Sequence, residues 1–427
     1  MTTQTVKRAF KYRFYPTDEQ AALLARTFGC ARLVYNKALD ARTQGWTLEN
    51  KRITGFDTMK MLTEWKKTEE LAFLSEVSSV ALQQSLHHLQ DGFSNFFAKR
   101  ARYPKFKSRH DNKQSVTFVA SGFRYDEAAQ SITLAKMKLP LDIAWSRDLP
   151  LGSSPSSVTV SRDASNRWHI SMLVDAPVTA LPKSAKAVGI DFGVTTLAAL
   201  SDGSMFSNPR NEAKDRNKLY RLQKELARKQ KGSRNREKAR VKVARVHARI
   251  ADRRRDNLHK VTTKIIRENQ TVILEDLNVL GMRSNGRSFK KGLNRAISDA
   301  SFGEFRSMLE YKAGWFGREM VVIDRFYPST KMCSNCANIK PIGLGDRVYH
   351  CEKCGHSENR DLNAAKNIRA AGLAVLAYGD GVKPSRVKAR VVAVSEVGSP
   401  SEQSVGISHL KRGKDVKDSS SNRLDFP

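Results

Sequence analysis

The sequence predicts a multidomain α/β protein with an N-terminal β-barrel, a helical insertion in that barrel, and a split α/β domain that holds a small cysteine-rich insertion. Three observations lead to this prediction. Strand-like alternation at the start of the chain resumes only after a long stretch of helical periodicity. Farther along the chain, apolar runs end in acidic residues. Two CxxC pairs precede Asp361, the last of the acidic residues that could bind a metal. The 427 residues leave room for several domains.

The net charge indicates the kind of partner. Lys and Arg number 75 against 43 Asp and Glu, which gives a formal charge of +32 and a pI near 10.1. Such an excess favours a polyanion, because cations that neutralise phosphates release condensed counterions. Charge alone does not separate a nucleic-acid-binding protein, such as a ribosomal one, from an enzyme that acts on nucleic acid.

The ends of the chain and its cysteines indicate the compartment. The N-terminus lacks an apolar signal region, and no apolar run of the roughly 18 residues that a spanning helix needs occurs in the sequence. Four of the five cysteines form two close pairs, which fits a metal site in a reducing compartment better than disulfides. We therefore expect a cytoplasmic protein without a membrane partner.

The N-terminal half changes its periodicity twice. Residues 5–15 alternate as a half-buried strand does, residues 17–100 carry three amphipathic helical patterns, and residues 115–178 return to short strand-like runs. This order predicts a small antiparallel barrel or sandwich from residues 1–16 and 110–183, interrupted by a helical domain at 17–109.

Two segments are candidate nucleic-acid contacts. The first interleaves aromatic and cationic side chains around a proline, which suits base stacking beside phosphates, although a solvated loop explains it equally well. Its candidates are Arg102, Tyr103, Lys105, Phe106 and Lys107.

The second segment, residues 211–260, is a predicted helical hairpin with its break at residues 231–233. It holds 19 Lys and Arg against six acids. A solvated hairpin is the alternative, but charges of one sign at this density repel unless a polyanion covers them. Its candidates are Lys229, Lys231, Arg234, Arg236 and Arg240.

Three acids stand at places suited to metal binding. Asp191 lies near the end of one apolar strand, Glu275 ends another, and Asp361 opens a helix. Each alone could be a cap, a turn residue or half of an ion pair. Together, as oxygen ligands, they suit Mg²⁺ or Mn²⁺, and two such ions can hydrolyse a phosphodiester. We therefore predict a catalytic ribonuclease-H-like nuclease site at these three residues.

The cysteine pairs predict a structural zinc ribbon. Two CxxC pairs, fourteen residues apart, can supply four thiolates to one closed tetrahedral site. The predicted ligands are Cys333, Cys336, Cys351 and Cys354. His350 and His356 flank the second pair but are not expected to bind the metal, and Cys30 is expected in a helical core.

Several phrases in order resemble the TnpB family of insertion-sequence proteins, relatives of the compact type V CRISPR effectors. They include VGIDFGVTTLAALSDG, the basic hairpin, EDLNVLGM, YPSTKMCSNC and CEKCGHSENRDLNAAKNI. The resemblance covers the chain to about residue 380. It implies an RNA-guided DNA endonuclease in which Asp191, Glu275 and Asp361 are the acids of a RuvC domain that uses Mg²⁺.

The resemblance also implies a domain plan and partners. The barrel and its helical insertion look like wedge and recognition domains, residues 184–330 and 356–379 like a split RuvC domain, and residues 331–355 like its inserted zinc ribbon. Residues 380–427 are expected to be a disordered basic tail. The implied partners are a guide RNA and double-stranded target DNA beside a short protein-read motif, bound by a monomer.

Two positions depart from the family pattern. Ala337 stands where a glycine often follows the first CxxC pair, and Asn359 stands where many members have a second aspartate. The first substitution is expected to tighten the turn without removing a ligand. The second leaves Asp361 as the predicted ligand and the role of position 359 open.

Three alternatives remain at this stage. A nuclease-inactive RNA-guided repressor would be expected to lack one of the acids, and this chain keeps all three. A conventional transposase is disfavoured by the zinc ribbon and the wedge-like N-terminal half. A compact type V CRISPR effector is not separated from TnpB by sequence.

Overall fold

A computed structural model describes residues 3–109, 111, 113–283, 290–343, 345–378 and 390–391. Within them the chain forms two compact units, a smaller helical one dominated by residues 18–111 and a larger one that contains most of the strands. The predicted tail at 380–427 falls outside the described residues except for Arg390–Val391. Among the helices of the described residues, none is long and apolar enough to cross a membrane.

The smaller unit is built from three helices. They are α1 (Asp18–Glu49), α2 (Gly55–Trp65) and α3 (Ser79–Phe97). Apolar side chains at helical spacing bury the contact between α1 and α3, and the Ser85 hydroxyl donates to the Ala31 carbonyl across it at 2.7 Å. Cys30 is buried in α1, as the sequence predicts.

A five-stranded sheet near the start of the chain has the order β2-β6-β7-β1-β5. Its strands are β1 (Thr3–Tyr15), β2 (Lys113–Val119), β5 (Asp142–Ala144), β6 (Ser157–Asp163) and β7 (Trp168–Thr179). A separate hairpin is formed by β3 (Phe123–Asp126) and β4 (Ser131–Leu134). The antiparallel ladder of β1 with β7 runs from Thr3↔Thr179 to Phe14↔Trp168, so the chain returns to its first strand after the helices.

A second sheet has the order β10-β9-β8-β11-β12-β15. Its strands are β8 (Ala187–Phe192), β9 (Thr196–Leu200), β10 (Met205–Ser207), β11 (Thr271–Glu275), β12 (Glu319–Ile323) and β15 (Arg390–Val391). The central strands β8, β11 and β12 are parallel. Most of their side chains are buried, as expected for parallel strands covered on both faces.

Helices lie between and after the strands of this second sheet. They are α4 (Asn211–Ala227), α5 (Arg234–Glu268), α6 (Val279–Arg283), α7 (Lys291–Ala300), α8 (Phe302–Phe316) and α9 (Arg360–Tyr378). Of these, α8 and α9 contact the strands of the sheet. The hairpin of α4 and α5 turns where the sequence predicts, at Gly232 with a φ of +83° and Ser233 as the N-cap of α5. Helix α5 runs past the predicted end, because Leu258 and Ile265 join the core under the sheet.

Helix α9 lies against the central strands at two glycines. A Cβ at Gly189 in β8 would stand 2.2 Å from the carbonyl oxygen of Ala365 in α9. A Cβ at Gly372 in α9 would stand 2.4 Å from Cγ2 of Ile273 in β11. Both distances are shorter than any tolerated contact, so only glycine permits this approach of helix to strand.

We predict that Gly189→Ala destabilises the protein by about 2 kcal/mol or more, because the new methyl group meets helix backbone rather than a flexible side chain. The measurement is the free energy of unfolding in denaturant. Gly303→Ala in α8 is the control, since nothing lies within 4 Å of its added Cβ, and it should be neutral or stabilising. Equal stability of Gly189→Ala and the parent would contradict the packing described.

Candidate functional site

The second sheet and α9 bring the three predicted acids to one region. Strands β8 and β11 pair in parallel with Leu274 opposite Ile190, so the next residues, Asp191 and Glu275, stand side by side at the carboxyl edge. Asp361 is the second residue of α9, which packs on the same two strands. The sheet register and one helix start therefore assemble the three side chains.

Electrostatics show that Asp191 senses the charges of the other two carboxylates. Burial raises the pKa of Asp191 well above its ordinary value, and the charges of Glu275 and then Asp361 raise it further. Burial also raises the pKa of Glu275. The charge of Arg360, whose Nη2 lies 3.4 Å from Oδ1 of Asp361, opposes the rise in the pKa of Asp191 only in part. A divalent ion is the group that would neutralise such a carboxylate cluster. The donor set therefore fits Mg²⁺ or Mn²⁺.

The residue after Glu275 has a different role. Asp276 accepts a hydrogen bond from Nη1 of Arg306 at 2.9 Å and a second one from Arg325. Arg306 also bonds Oε1 of Glu310 at 2.8 Å. Because two guanidinium groups engage its carboxylate, Asp276 belongs to an ion-pair network, and Glu275 is the acid left to face Asp191.

Asn359 caps the helix that carries Asp361. Its Oδ1 accepts hydrogen bonds from the backbone N–H groups of Asp361 at 2.9 Å and Leu362 at 3.2 Å. This is the bonding of an N-cap, which satisfies donors at the start of a helix. The departure noted at position 359 thus has a structural role, since the asparagine orders the first turn of α9.

The four cysteines of the CxxC pairs form one cluster. Their sulfur atoms all lie within 4.8 Å of one another, with 3.7 Å between Cys333 and Cys354 and 3.6 Å between Cys336 and Cys351. In the described part of the chain they are the only group of three or more potential metal ligands packed this closely, and the three acids are more widely spaced. Four convergent sulfurs fit a tetrahedral zinc ion.

Two turns shape the cysteine cluster in the same way. Ala337 after the first pair has a φ of +58°, and Gly355 after the second has a φ of +66°. A left-handed backbone explains why glycine is common at the first position and makes alanine strained there. His356 lies outside the cluster, where its Nε2 meets Oε1 of Glu358 at 2.8 Å, and His350 is exposed on the hairpin of β13 (Val348–His350) and β14 (Ser357–Asn359).

The first candidate nucleic-acid segment is partly docked on its own unit. Tyr103 bonds the Thr43 hydroxyl at 2.8 Å, and the Lys107 ammonium lies 4.1 Å from the centre of the Tyr35 ring. These two side chains have intramolecular partners. The remaining candidates in the segment are exposed and comprise Arg102, Lys105 and Phe106.

The second candidate segment divides in a similar way. Nη1 of Arg236 donates to the carbonyl oxygens of Leu226 at 2.9 Å and Lys229 at 2.8 Å, which closes the hairpin turn. Arg240 pairs with Glu237 and reaches the carbonyl of Ala164. The side chains left exposed at the tip are Lys229, Lys231 and Arg234.

Some structurally important residues carry weak sequence signals. Gly189 and Gly372 look like ordinary glycines until the helix and the sheet are seen together. Asn363 and Asn367 are buried. Their spacing of four positions, on a helix face with Ala364 and Ile368, is a sequence pattern that could have indicated this burial.

Three family models match the chain and define its class. Residues 169–286 match a model described as "Probable transposase", residues 302–368 match the Cas12f1-like TNB domain, and residues 1–51 match a helix-turn-helix domain. The structure gives residues 1–51 another form, since β1 is followed by the single long helix α1. The chain is thus of the insertion-sequence class with likeness to compact CRISPR effectors.

Relatives over the whole length settle the family. A Streptomyces pristinaespiralis protein named "Putative RNA-guided DNA endonuclease" is 54% identical over 408 residues, which cover 95% of this chain and 100% of the relative. An Escherichia coli K12 protein, "Putative RNA-guided DNA endonuclease InsQ", is 36% identical over 394 residues, 89% of this chain and 96% of the relative. The chain belongs to the TnpB family, which confirms the resemblance found in the sequence.

Similarity extends to Cas12f1. A CRISPR-associated endodeoxyribonuclease Cas12f1 of Sulfoacidibacillus thermotolerans is 26% identical over 230 residues, 50% of this chain and 52% of that protein. The solved Cas12f1–sgRNA–target DNA complex contains a chain that matches with a TM-score of 0.53 at 15% identity, over 86% of this chain and 99% of that one. At this identity the match shows a shared fold.

We predict that Ala337→Gly stabilises the cysteine turn by roughly 1 kcal/mol, because glycine adopts the left-handed conformation without the Cβ penalty. The measurement is the chelator concentration that removes half of the bound zinc, which should rise. Ala370→Gly, at an exposed position of α9, is the control and should not raise it. A fall in zinc retention for Ala337→Gly would contradict the strain assigned to this turn.

Proposed function

We propose that this chain is a divalent-metal-dependent, RNA-guided DNA endonuclease of the TnpB type. The observation that carries the proposal is the convergence of Asp191, Glu275 and Asp361 at the edge of the second sheet, with a pKa at Asp191 raised by burial and by the other two acids. The names of the two full-length relatives support the same activity and the RNA guide.

In the proposed mechanism, the chain positions oxygen ligands and excludes competing charges. Asp191, Glu275 and Asp361 would hold Mg²⁺ or Mn²⁺, which when bound activates water and stabilises the leaving oxygen of a phosphodiester. Ser329 donates to one oxygen of Glu275 and so fixes the carboxylate. Arg306 and Arg325 keep Asp276 engaged, which prevents it from competing for the ion.

We propose a structural zinc ion at the cysteine cluster. Its four sulfurs close the coordination sphere and leave no open position for substrate, as in structural rather than catalytic zinc sites. The ion would hold the turns at Ala337 and Gly355 together and so support the segment that enters α9.

The domain plan of the sequence analysis is proposed for this chain. The second sheet with α9 would be the split RuvC domain (184–330 and 356–379), with the ribbon (331–355) inserted. The first sheet would belong to the wedge barrel (1–16 and 110–183), and the three N-terminal helices to the recognition domain (17–109). A guide RNA and double-stranded target DNA would bind a monomer in the cytoplasm, and the exposed cations of both candidate segments would contact phosphates.

The alternatives are less well supported. A nuclease-inactive repressor does not require the three clustered acids. A compact type V CRISPR effector is supported by similarity over half of the chain, whereas the relatives with RNA-guided endonuclease names match along 84% or more of it.

We predict that Asp191→Ala lowers DNA cleavage by at least about 100-fold, because it removes one of the ligands that place the ion against the phosphodiester. The protein is expressed with its flanking locus, the copurified RNA is sequenced, and matching double-stranded DNA is tested with Mg²⁺. Asp202→Asn, in an exposed turn of the same sheet, is the control and should cut normally. Equal cleavage by Asp191→Ala and the parent would contradict the active site, and cleavage that ignores the RNA sequence would contradict the guide.

We predict about one zinc ion per chain by elemental analysis, since the cluster provides one closed four-sulfur site. Cys333→Ser should lose the zinc because it removes one thiolate. Cys30→Ser should retain it, since Cys30 lies in the smaller unit and outside the cluster. Full zinc content in Cys333→Ser would show that the metal is held elsewhere.

A further inference from the structure

Helix α9 carries two buried amides that hold the loop before the cysteine cluster. Asn363 is fully buried and donates from Nδ2 to the carbonyl of Met332 at 2.7 Å, while its Oδ1 accepts from the backbone N–H of Ser334 at 2.8 Å. Asn367, 4% exposed, donates to the carbonyls of Ser329 at 2.8 Å and Met332 at 2.7 Å. Two side chains of one helix therefore fix the backbone of residues 329–334.

The same loop reaches the acid site. The hydroxyl of Ser329, a buried residue, donates to Oε1 of Glu275. The backbone carbonyl of Ser329 is one of the groups that Asn367 holds. A continuous path of hydrogen bonds thus runs from the carboxylate of Glu275 through Ser329 and Asn367 to α9, the helix that carries Asp361.

A second set of bonds ties the cysteine hairpin to α9. Glu358 accepts from the Ser334 hydroxyl at 2.5 Å and from Lys366 in α9 at 2.6 Å. Nε2 of His356 lies 2.8 Å from Oε1 of Glu358 and 3.3 Å from Oγ of Ser334, so one ring nitrogen meets both groups, whereas a hydrolytic triad uses the two ring nitrogens separately. The arrangement is an anchor between the hairpin and the helix.

The free-energy cost of burying the amides of Asn363 and Asn367 indicates that they position the loop. An apolar residue would fill the sites of Asn363 and Asn367 without burying polar atoms, whereas each amide costs desolvation that its hydrogen bonds must offset. The hydrogen bonds fix the geometry of the loop, because their partners are backbone groups of a segment that lies outside the helices and strands. The amides determine where this loop lies relative to α9.

We propose that Ser329, Asn363 and Asn367 are positioning residues that set the carboxylate of Glu275 relative to Asp361 for divalent-ion binding. This inference rests on the metal site of the proposed function. Ser329 engages one oxygen of Glu275 and leaves the other for the ion, and the two amides keep Ser329 in register with α9. Partners of this kind tune metal affinity without touching the metal.

The test measures Mn²⁺ binding to the protein–RNA complex by electron paramagnetic resonance, together with the Mg²⁺ concentration that gives half-maximal cleavage. Asn363→Leu, Asn367→Leu and Ser329→Ala should each weaken Mn²⁺ binding by about tenfold and raise the Mg²⁺ requirement by a similar factor. Zinc content and the affinities for RNA and DNA should stay within about twofold of the parent. Ala370→Leu, on the exposed face of the same helix, is the matched control and should change none of these.

The outcomes separate this inference from the proposed function. If the parent binds Mn²⁺ no better than Asp191→Ala does, the proposed metal site fails. If the parent binds Mn²⁺ normally and the three variants bind it equally well, the positioning role alone is overturned. It is also overturned if the variants lose zinc or RNA in proportion to Mn²⁺, because that pattern marks general misfolding. Should the asparagine variants not fold, Ser329→Ala against Ser329→Thr decides, since only threonine restores the hydroxyl and with it Mn²⁺ binding.

Discussion

The contact of helix α9 with strands β8 and β11 is the constraint on which the candidate site depends. At Gly189 the helix backbone occupies the space that any side chain would need, and at Gly372 the strand side chain does the same to the helix. This approach places Asp361 beside two acids that come from sequence positions far away. A displacement of about an ångström is enough to disrupt the geometry of reacting groups. The absence of a Cβ atom at Gly189 and Gly372, which permits the close contact, therefore supports the proposed chemistry.

The acids at this edge differ in how far cationic side chains neutralise their charge. Asp276 is engaged by two arginines, whereas Asp191, one residue from the end of β8, is buried with its charge opposed mainly by other carboxylates. A protein accepts such a destabilising cluster where function requires it, and a bound cation reverses the penalty. The excess of cations elsewhere, densest in α4 and α5, suits the phosphates that would bring substrate to this edge.

Much of the framework could be predicted from local patterns. The strands that carry Asp191 and Glu275, the helix with Asp361 in its first turn and the closeness of the four cysteines all follow from periodicity and spacing, since these signals lie within a few residues of one another. Features that depend on contacts between distant parts of the chain could not be predicted in this way. Three features depend on segments that meet only after folding. They are the hydrogen bonds of Asn363 to the loop, the lack of space for a side chain at Gly189 and the ion pairs of Asp276 with arginines. The barrel closure and the domain limits stay predictions.

The most direct measurement is the location of Mn²⁺ by anomalous X-ray scattering from crystals of the protein bound to its RNA and DNA. We expect a peak coordinated by carboxylate oxygens of Asp191, Glu275 and Asp361, next to a DNA phosphate. A peak coordinated by Asp276, or well-ordered acids with no Mn²⁺ among them beside bound DNA, would contradict this expectation.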